Sequence, residues 1–246
     1  MSRGVYVALS GAVAQERALE TTAENLANAS TNGYQKMRPV FKEALSKATN
    51  NKPALRYTEV SSTSVDQTRG ALKTTGRALD VALPEGNYLS VSTSRGERYT
   101  RSGSLQMDAS GILRAAGQPL SGEDGKPMQL SPTGGDPTIG TDGAVYQAGA
   151  VVGKLKIMRG DTGTTFAHEA GSVMAANGPM VTGKPTQADA NAVDVGVVEE
   201  SNATPVTAMT DLVTASRTFE AMQKMLDTFG DCDRKVLTTT AGASES

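Results

Sequence analysis

Both ends of the chain repeat apolar residues in alternating steps of four and three, and the polar stretch between them does not. Near the C-terminus Ala208, Leu212, Ala215, Phe219, Met222, Leu226, Phe229, Asp233 and Val236 keep this spacing, and eight of the nine are apolar. Near the N-terminus Val5, Leu9, Ala12, Glu16, Leu19, Ala23 and Leu26 keep it, with six of seven apolar. This is the spacing of a coiled-coil seam, whose side chains lock between those of a facing helix. About 180 residues separate the two seams, so the spacing predicts a chain that leaves one place and returns to it. There its ends pack together and against other copies. The alternative is a two-helix hairpin that only holds one subunit together.

Composition argues against a single large globular core. Among 246 residues there is no Trp, only four Phe and six Tyr, and apolar types reach 38%. The 26 glycines fall mostly between the helices, which suits turns and short strands. A net charge of -2 with interspersed signs offers no basic face, so nucleic acid is not an expected partner. The single cysteine, Cys232, excludes an internal disulfide and a cysteine zinc cluster. Flanked by Asp231 and Asp233, it reads as a neutral thiol on a helix face. Residues 1-30 lack an apolar signal core and a cleavage site, being interrupted by Glu16, Arg17, Glu20 and Glu24. With no run of 18 apolar residues, no membrane insertion is expected, and taken alone the chain reads as cytoplasmic.

Asn28-Ala29-Ser30-Thr31-Asn32-Gly33 gathers turn formers after the first helical pattern, with Gly33 suited to a positive φ. From about Leu79 the pattern takes period two: Leu89 and Val91, Leu105 and Met107, Leu155 and Ile157 alternate with polar residues. Arg95-Gly96, Ser110-Gly111, Asp124-Gly125 and Asp142-Gly143 punctuate these runs. Val193, Val195 and Val197 form a last alternating run, and Thr204-Pro205 opens the second helix as cap and first-turn proline. The expected fold class is α+β, with terminal helices forming a coiled-coil stalk and an antiparallel all-β central domain of sandwich or partly closed barrel type. The expected boundaries are 1-35 for the first helix, 36-76 for an extended connector and 77-175 for the β domain. A returning connector follows over 176-202, the second helix over 203-240 and a frayed tail over 241-246. Within the connector, Phe41-Leu45 is weighed as a short helix.

The chemistry of catalysis is missing. His168 is the sole histidine and no nucleophile motif accompanies it, so it reads as part of a surface loop beside a strand end. Glu199 and Glu200 are adjacent and face opposite sides of a strand, so they make no acid/base pair. Ser131-Pro132-Thr133-Gly134-Gly135-Asp136 lacks the ending of a phosphate loop. Asp108-Ala109-Ser110-Gly111 lacks the later ligands of a calcium loop and reads as a β-turn. No cofactor and no metal site is expected.

One segment narrows the function. Asn25-Leu26-Ala27-Asn28-Ala29-Ser30-Thr31-Asn32-Gly33-Tyr34, at the end of the first helix, resembles the motif of the flagellar rod and hook protein family. Asn25, Leu26, Ala27, Asn28, Thr31, Gly33 and Tyr34 are its matching positions. The opening, Met1-Ser2-Arg3-Gly4-Val5-Tyr6, resembles the start of a proximal rod subunit. Leu79-Asp80-Val81-Ala82-Leu83, Tyr99 to Leu105, Asp108, Gly111, Leu113 and Gly117 resemble the family's shared core, and Glu200-Ser201-Asn202 precedes the last helix as it does there. The chain departs from the family at Gly86-Asn87-Tyr88-Leu89, where a Gly-Phe-Phe sequence is common, and 36-76 and 120-190 offer little to match.

The resemblance implies a structural subunit that is exported unfolded through the flagellar type III apparatus by an uncleaved N-terminal signal. It implies helical stacking around a central channel, with terminal helices inside and the β domain outside. The implied partners are other copies of the chain, adjacent rod proteins and the export apparatus; the implied place is the basal-body rod crossing the periplasm. A distal rod or hook subunit is the nearest alternative, and an envelope-located β-domain binding module or enzyme a remoter one. Asn25 and Asn28 also have a plain reading as helix-end caps. Val5, Leu9, Ala12, Leu19, Ala23, Leu26, Leu212, Ala215, Phe219, Met222, Leu226 and Phe229 are the expected assembly seam, with Thr218 on the outer face.

Overall fold

The computed structural model describes residues 3–45, 56–161, 163–183 and 193–242. They form two compact units: Met1–Leu26, Met37–Thr63 and Val206–Ser246 make the first, Ala27–Lys36 and Ser64–Pro205 the second. The architecture is α+β, two helices with many short antiparallel strands.

The first unit is built on helix α1, Arg3–Ala27, and helix α2, Pro205–Gly242. Proline at the first position of α2 fits a helix start, because its φ is already helical and the missing N–H had no partner there. The 38 residues of α2 extend about 57 Å at the usual rise per residue. Helix continues through Ala241 and Gly242, where the sequence predicts fraying; 243–246 lie outside the described residues. Strands Met37–Leu45 and Arg56–Val65 pair with each other. Phe41–Leu45 is therefore strand rather than short helix. Pro39 holds its predecessor extended, and Val40 and Phe41 suit a pleated surface better than a helical turn. The connector reading of 36-76 thus gives way, in its described part, to paired strands.

In the second unit, a six-stranded antiparallel sheet runs in the order Thr165–Ala170, Val173–Asn177, Gly96–Thr100, Asn87–Thr93, Ile157–Gly160, Met180–Thr182. Two smaller three-stranded sheets stand beside it, Leu105–Met107 with Leu113–Ala115 and Gln118–Pro119, and Thr138–Ile139 with Ala144–Gln147 and Ala150–Lys154. Val81–Ala82 pairs with Asp194–Val195, and Leu72–Thr74 with Val197–Glu199. One core draws on the six-stranded sheet, both three-stranded sheets and the strand Val81–Ala82. Val81, Leu89, Val91, Leu105, Leu113, Leu120, Val145, Leu155 and Ile157 pack in it almost without exposure. The expected sandwich or barrel thus resolves into one broad sheet and several short ones around a shared interior.

Two close approaches fix this packing. The Asp108 carbonyl accepts from the Gly111 N–H at 2.9 Å, which is the β-turn the sequence predicts, and Gly111 has φ +81°. At Gly103 a Cβ would stand 1.6 Å from the Val81 carbonyl oxygen, while the Val81 N–H donates to the Gly103 carbonyl at 2.9 Å. The two backbones touch, and only glycine lets them. Gly103→Ala is expected to cost about 3 kcal/mol or more, because backbone must move. Gly117→Ala, at φ +75° with open space around it, is expected to cost only about 1 kcal/mol of left-handed strain. Urea unfolding of the two variants checks the contrast, and equal losses would show that the approach at Gly103 is not tight.

Candidate assembly site

The motif at the end of α1 is divided between the units. In the first unit, the Asn25 amide closes a pair with the backbone of Met37. Its Nδ2 donates to the Met37 carbonyl and its Oδ1 accepts from the Met37 N–H, each at 2.8 Å. Asn25 therefore begins the strand Met37–Leu45 as well as standing near a helix end. Substituting a carboxylate would remove the donor, and an aliphatic residue would remove both bonds.

In the second unit, residues 27–36 turn along the β body. The Asn28 carbonyl accepts from the Thr31 N–H at 3.0 Å, and the Asn28 Oδ1 accepts from the Thr31 hydroxyl at 3.2 Å. Gly33 has φ +68°, and its N–H donates to the Glu199 carbonyl at 2.7 Å. A Cβ on it would lie 2.3 Å from the Ser102 nitrogen, so this glycine is required twice over, by its dihedral and by its neighbour. Tyr34 is 2% exposed and stacks on His168 with ring centroids 4.8 Å apart. The His168 ring nitrogens lie 2.8 Å from the Gly171 carbonyl and 2.7 Å from the Gln35 carbonyl. His168 is thus in the strand Thr165–Ala170, and the surface-loop reading is corrected. It faces Tyr34, which a search among neighbours in sequence cannot find.

Asn202 gathers three segments. Its Oδ1 accepts from the Lys36 N–H at 2.6 Å, its Nδ2 donates to the Asp66 and Thr68 carbonyls at 2.9 Å, and its own N–H donates to the Tyr34 carbonyl at 3.2 Å. Beside it lies a buried ion pair. Arg101 Nε donates to both Glu199 oxygens, at 3.0 and 3.1 Å, and its Nη2 donates to the same carboxylate. Arg101 Nη1 donates to the carbonyls of Asn87 at 2.7 Å and Pro84 at 3.3 Å. Glu199 Oε1 also accepts from the Gly70 N–H at 3.1 Å, and Arg69 stands 3.7 Å from the carboxylate. Tyr88 lies against the Arg101 guanidinium, 5.7 Å from its ring centre. Burial raises the Tyr88 phenol above its ordinary range, although the Arg101 charge and the Gln35 hydrogen bond oppose this. Glu199 and Glu200 do part as the alternation predicts: Glu199 is 2% exposed, while Glu200 points out to Lys73 at 3.5 Å.

On the helices, Ala208 is buried, and Leu212, Ala215, Phe219, Met222, Leu226 and Phe229 are half-buried. These positions share one side of α2. On α1 the expected seam divides. Ala12 is buried, Val5, Leu19 and Leu26 are half-buried, but Leu9 is 48% exposed and Ala23 is exposed. The covered residues there are Ala8, Ala12, Ala14 and Thr21, small side chains that allow close approach. A Cβ on Gly11 would lie 3.8 Å from the Met222 sulfur, so the two helices meet at that level. Thr218 is half-buried rather than on the outer face, whereas Gln223 is exposed. Large apolar side chains remain in the open: Val7, Leu9 and Val13 on α1, and Val206, Met209, Val213 and Met225 on α2.

No cluster of His, Cys, Asp or Glu suited to a metal occurs among the described residues, and no helix among them is long and apolar enough to cross a membrane. The sole cysteine, Cys232, is exposed on α2. The β unit thus has its entry and exit segments pinned together, and the helical unit leaves large apolar side chains open. A family model described as flagella basal body rod protein matches residues 5–35, and one for the flagellar basal body rod FlgEFG protein C-terminal matches 195–239. The chain is 34% identical over 252 residues to the flagellar basal-body rod protein FlgF of Escherichia coli (strain K12), covering 94% of this chain and 95% of that one. It is 32% identical over 225 residues to the protein of the same name from Mesorhizobium japonicum, covering 89% and 90%. To the rod protein FlgG of Bacillus subtilis (strain 168) it is 25% identical over 257 residues, covering 93% and 95%. The chain belongs to the flagellar basal-body rod protein family. It is therefore a structural component of the flagellar basal body rather than an enzyme, and other rod components are its partners in assembly.

The buried pair tests how the site is held. Glu199→Ala leaves Arg101 buried without its counter-charge and is expected to cost about 3–5 kcal/mol. Replacing Arg101 and Glu199 together by Met is expected to be milder than either single loss. Urea titration of the three variants decides this, and a loss below about 1 kcal/mol in Glu199→Ala would refute the role given to the pair.

Proposed function

We propose that the chain is a proximal rod subunit of the FlgF type, which stacks helically through its terminal helices around the export channel. The observation that carries this is the graded similarity over nearly the whole chain. FlgF proteins from five bacterial strains are 29–34% identical to it, whereas FlgG proteins from two are 25% and 26% identical. A distal rod or hook subunit is the second reading, supported by the same end-to-end resemblance at lower identity.

The terminal helices supply the physical reason. An isolated helix is marginal in water, and one whose partners are other subunits gains its stability only as they arrive. Apolar area removed from water contributes roughly 25 cal/mol per Å² at that moment. Ends of this kind can pass through a narrow export apparatus unfolded and still lock on arrival. Packing one face of a subunit against a different face of the next extends into a helical array instead of closing a dimer. The seam Leu212 to Phe229 on α2, with Val5, Ala12, Leu19 and Leu26 on α1, is proposed as the inner contact layer. In this proposal the self-association, the coiled-coil stalk and the recognition by the export apparatus all rest on those ends.

Complementation tests the assignment. Expressed in a strain lacking its own FlgF-type subunit, the chain is expected to restore swimming and complete basal bodies, and to fail in a strain lacking FlgG. Rescue of only the latter would move the assignment to the distal rod. In the rescued strain, Phe219→Asp is expected to abolish motility while circular dichroism of the purified protein keeps the β signal. A buried, unpaired carboxylate and lost aromatic packing together cost several kcal/mol at each subunit. Gln223→Asp, on the exposed side, is the control and should swim normally. Normal rods with Phe219→Asp would remove the seam from the assembly.

Export without cleavage gives a separate test. Mass spectrometry of rod-associated protein is expected to find peptides beginning at Met1 or Ser2. A mature N-terminus beyond Ala12 would point to conventional secretion.

A further inference from the structure

The segment 193–202 comes back to the β unit last, and it completes parts that lie far earlier in the chain. Val193 belongs to the hydrophobic core, and Val198 is 2% exposed. Asp194–Val195 is the only strand paired with Val81–Ala82 among the described residues, and Val197–Glu199 the only one paired with Leu72–Thr74. Between these two short strands Gly196, at φ +74°, clips onto residues 75–80. Its N–H donates to the Asp80 carbonyl at 2.7 Å, and its carbonyl accepts from the Thr75 and Gly76 N–H groups at 2.8 and 3.0 Å. Further on, the Glu200 N–H donates to the Ala71 carbonyl at 2.8 Å. The approach there is close, since a Cβ on Gly70 would stand 1.9 Å from the Glu200 carbonyl oxygen.

The six-stranded sheet runs from Asn87 to Thr182, so every strand of it precedes this segment. Its local hairpins could in principle form first, and what they would leave behind decides against a stable body. Without Glu199 the buried Arg101 keeps the carbonyls of Leu83, Pro84 and Asn87 but has no carboxylate in contact among the described residues. The Gly33 and Gly70 N–H groups lose Glu199 as their acceptor. Removing Val193 and Val198 takes buried apolar volume out of the interior. A buried charge without its counter-charge, backbone donors without acceptors and a gap in the packing are each costly. Together they weigh against a net stability that is only a small difference between large terms.

We propose that residues 193–202 are a strap that closes the β unit, and that the sheet before them does not become a stable structure until they dock. A chain is made from its N-terminus. The body therefore stays open until the returning segment exists, with little but α2 still to follow. For a subunit that travels unfolded, a body that closed early would be an obstacle, and the strap delays closure to the end of the chain. That use rests on the rod-subunit reading. The closure itself does not, because every contact it needs lies within one β unit.

Pulsed hydrogen exchange during refolding of the full, unsubstituted chain from urea tests the strap. Peptides covering 87–93, 113–120 and 155–160 report the body, and peptides covering 193–202 report the strap. Both sets are expected to gain protection together, with rates that agree within about tenfold, as one cooperative unit does. Body peptides protected more than about tenfold ahead of the strap would show a sheet that stands without it, and would overturn the proposal. Native-state exchange gives a second reading on the same chain. After correction for intrinsic rates, the slowest amides of strap and body are expected to open together. Strap amides that all exchange more than about tenfold faster than the slowest body amides would mark the strap as a separate unit, and would overturn it as well. Neither result touches the rod assignment, which the complementation experiment decides.

Discussion

The β unit is organised around a charge pair that ordinary hydrophobic collapse would not produce. Arg101 and Glu199 are each about 2% exposed, and desolvating two ions costs several kcal/mol apiece before any contact is made. What offsets the cost is the completeness of the hydrogen bonding. The guanidinium reaches the carboxylate and the carbonyls of Leu83, Pro84 and Asn87, while the carboxylate also receives the Gly70 N–H. Two methionines would pack there at similar or lower cost. Their contact, however, would not specify which of several strand registers meets which. The pair names its neighbours one by one. It joins the loop at 69–70, the segment 83–87, the strand end at 101 and the returning strand Val197–Glu199 in one arrangement.

The same region also holds residues 33–36 against 199–202. The backbone of Glu199 receives the Gly33 N–H, and three residues later Asn202 binds Tyr34 and Lys36. The outgoing and returning chains are thus tied to each other inside the β unit, over residues 33–36 and 199–202. Displacing either would break the other's hydrogen bonds. Backbone hydrogen bonds and buried glycine contacts hold these segments of the β unit with little slack, since the Gly33 and Gly103 positions leave no room even for a methyl group.

Local chemistry was readable in the sequence, and distant chemistry was not. The turn pairs were visible because positive φ selects glycine: Gly96, Gly111, Gly125 and Gly143 all take it. The α2 face was visible because large side chains at Leu212, Phe219 and Leu226 mark a stripe. On α1 the covered face is made of Ala8, Ala12 and Ala14, and small residues leave little trace in a hydrophobic repeat. The repeat therefore pointed partly to Leu9 and Ala23, which are exposed. The Arg101–Glu199 pair escaped notice for a different reason. The partners are 98 residues apart, and nothing local distinguishes them from surface charges. Glu199 did leave one mark, its place beside Val197 and Val198 at the end of an apolar alternating run. His168 left none, because its partner Tyr34 belongs to the motif 134 residues earlier.

The open sides of the helices bear on the choice between a closed hairpin and an assembling end. A helix in a two-helix hairpin needs one apolar stripe, and the rest of its surface belongs to water. Helix α2 has that stripe in Leu212, Phe219, Met222 and Leu226. It also carries Val206, Met209 and Val213 at 76%, 56% and 52% exposure, spaced three and four apart on another side. Helix α1 repeats the pattern with Leu9 and Val13 four residues apart, both nearly half exposed. Scattered exposed apolar residues are ordinary on a monomer, but second stripes at helical spacing on both helices are not. The proposed helical stacking gives these second stripes a use, because each helix then meets more than one neighbour.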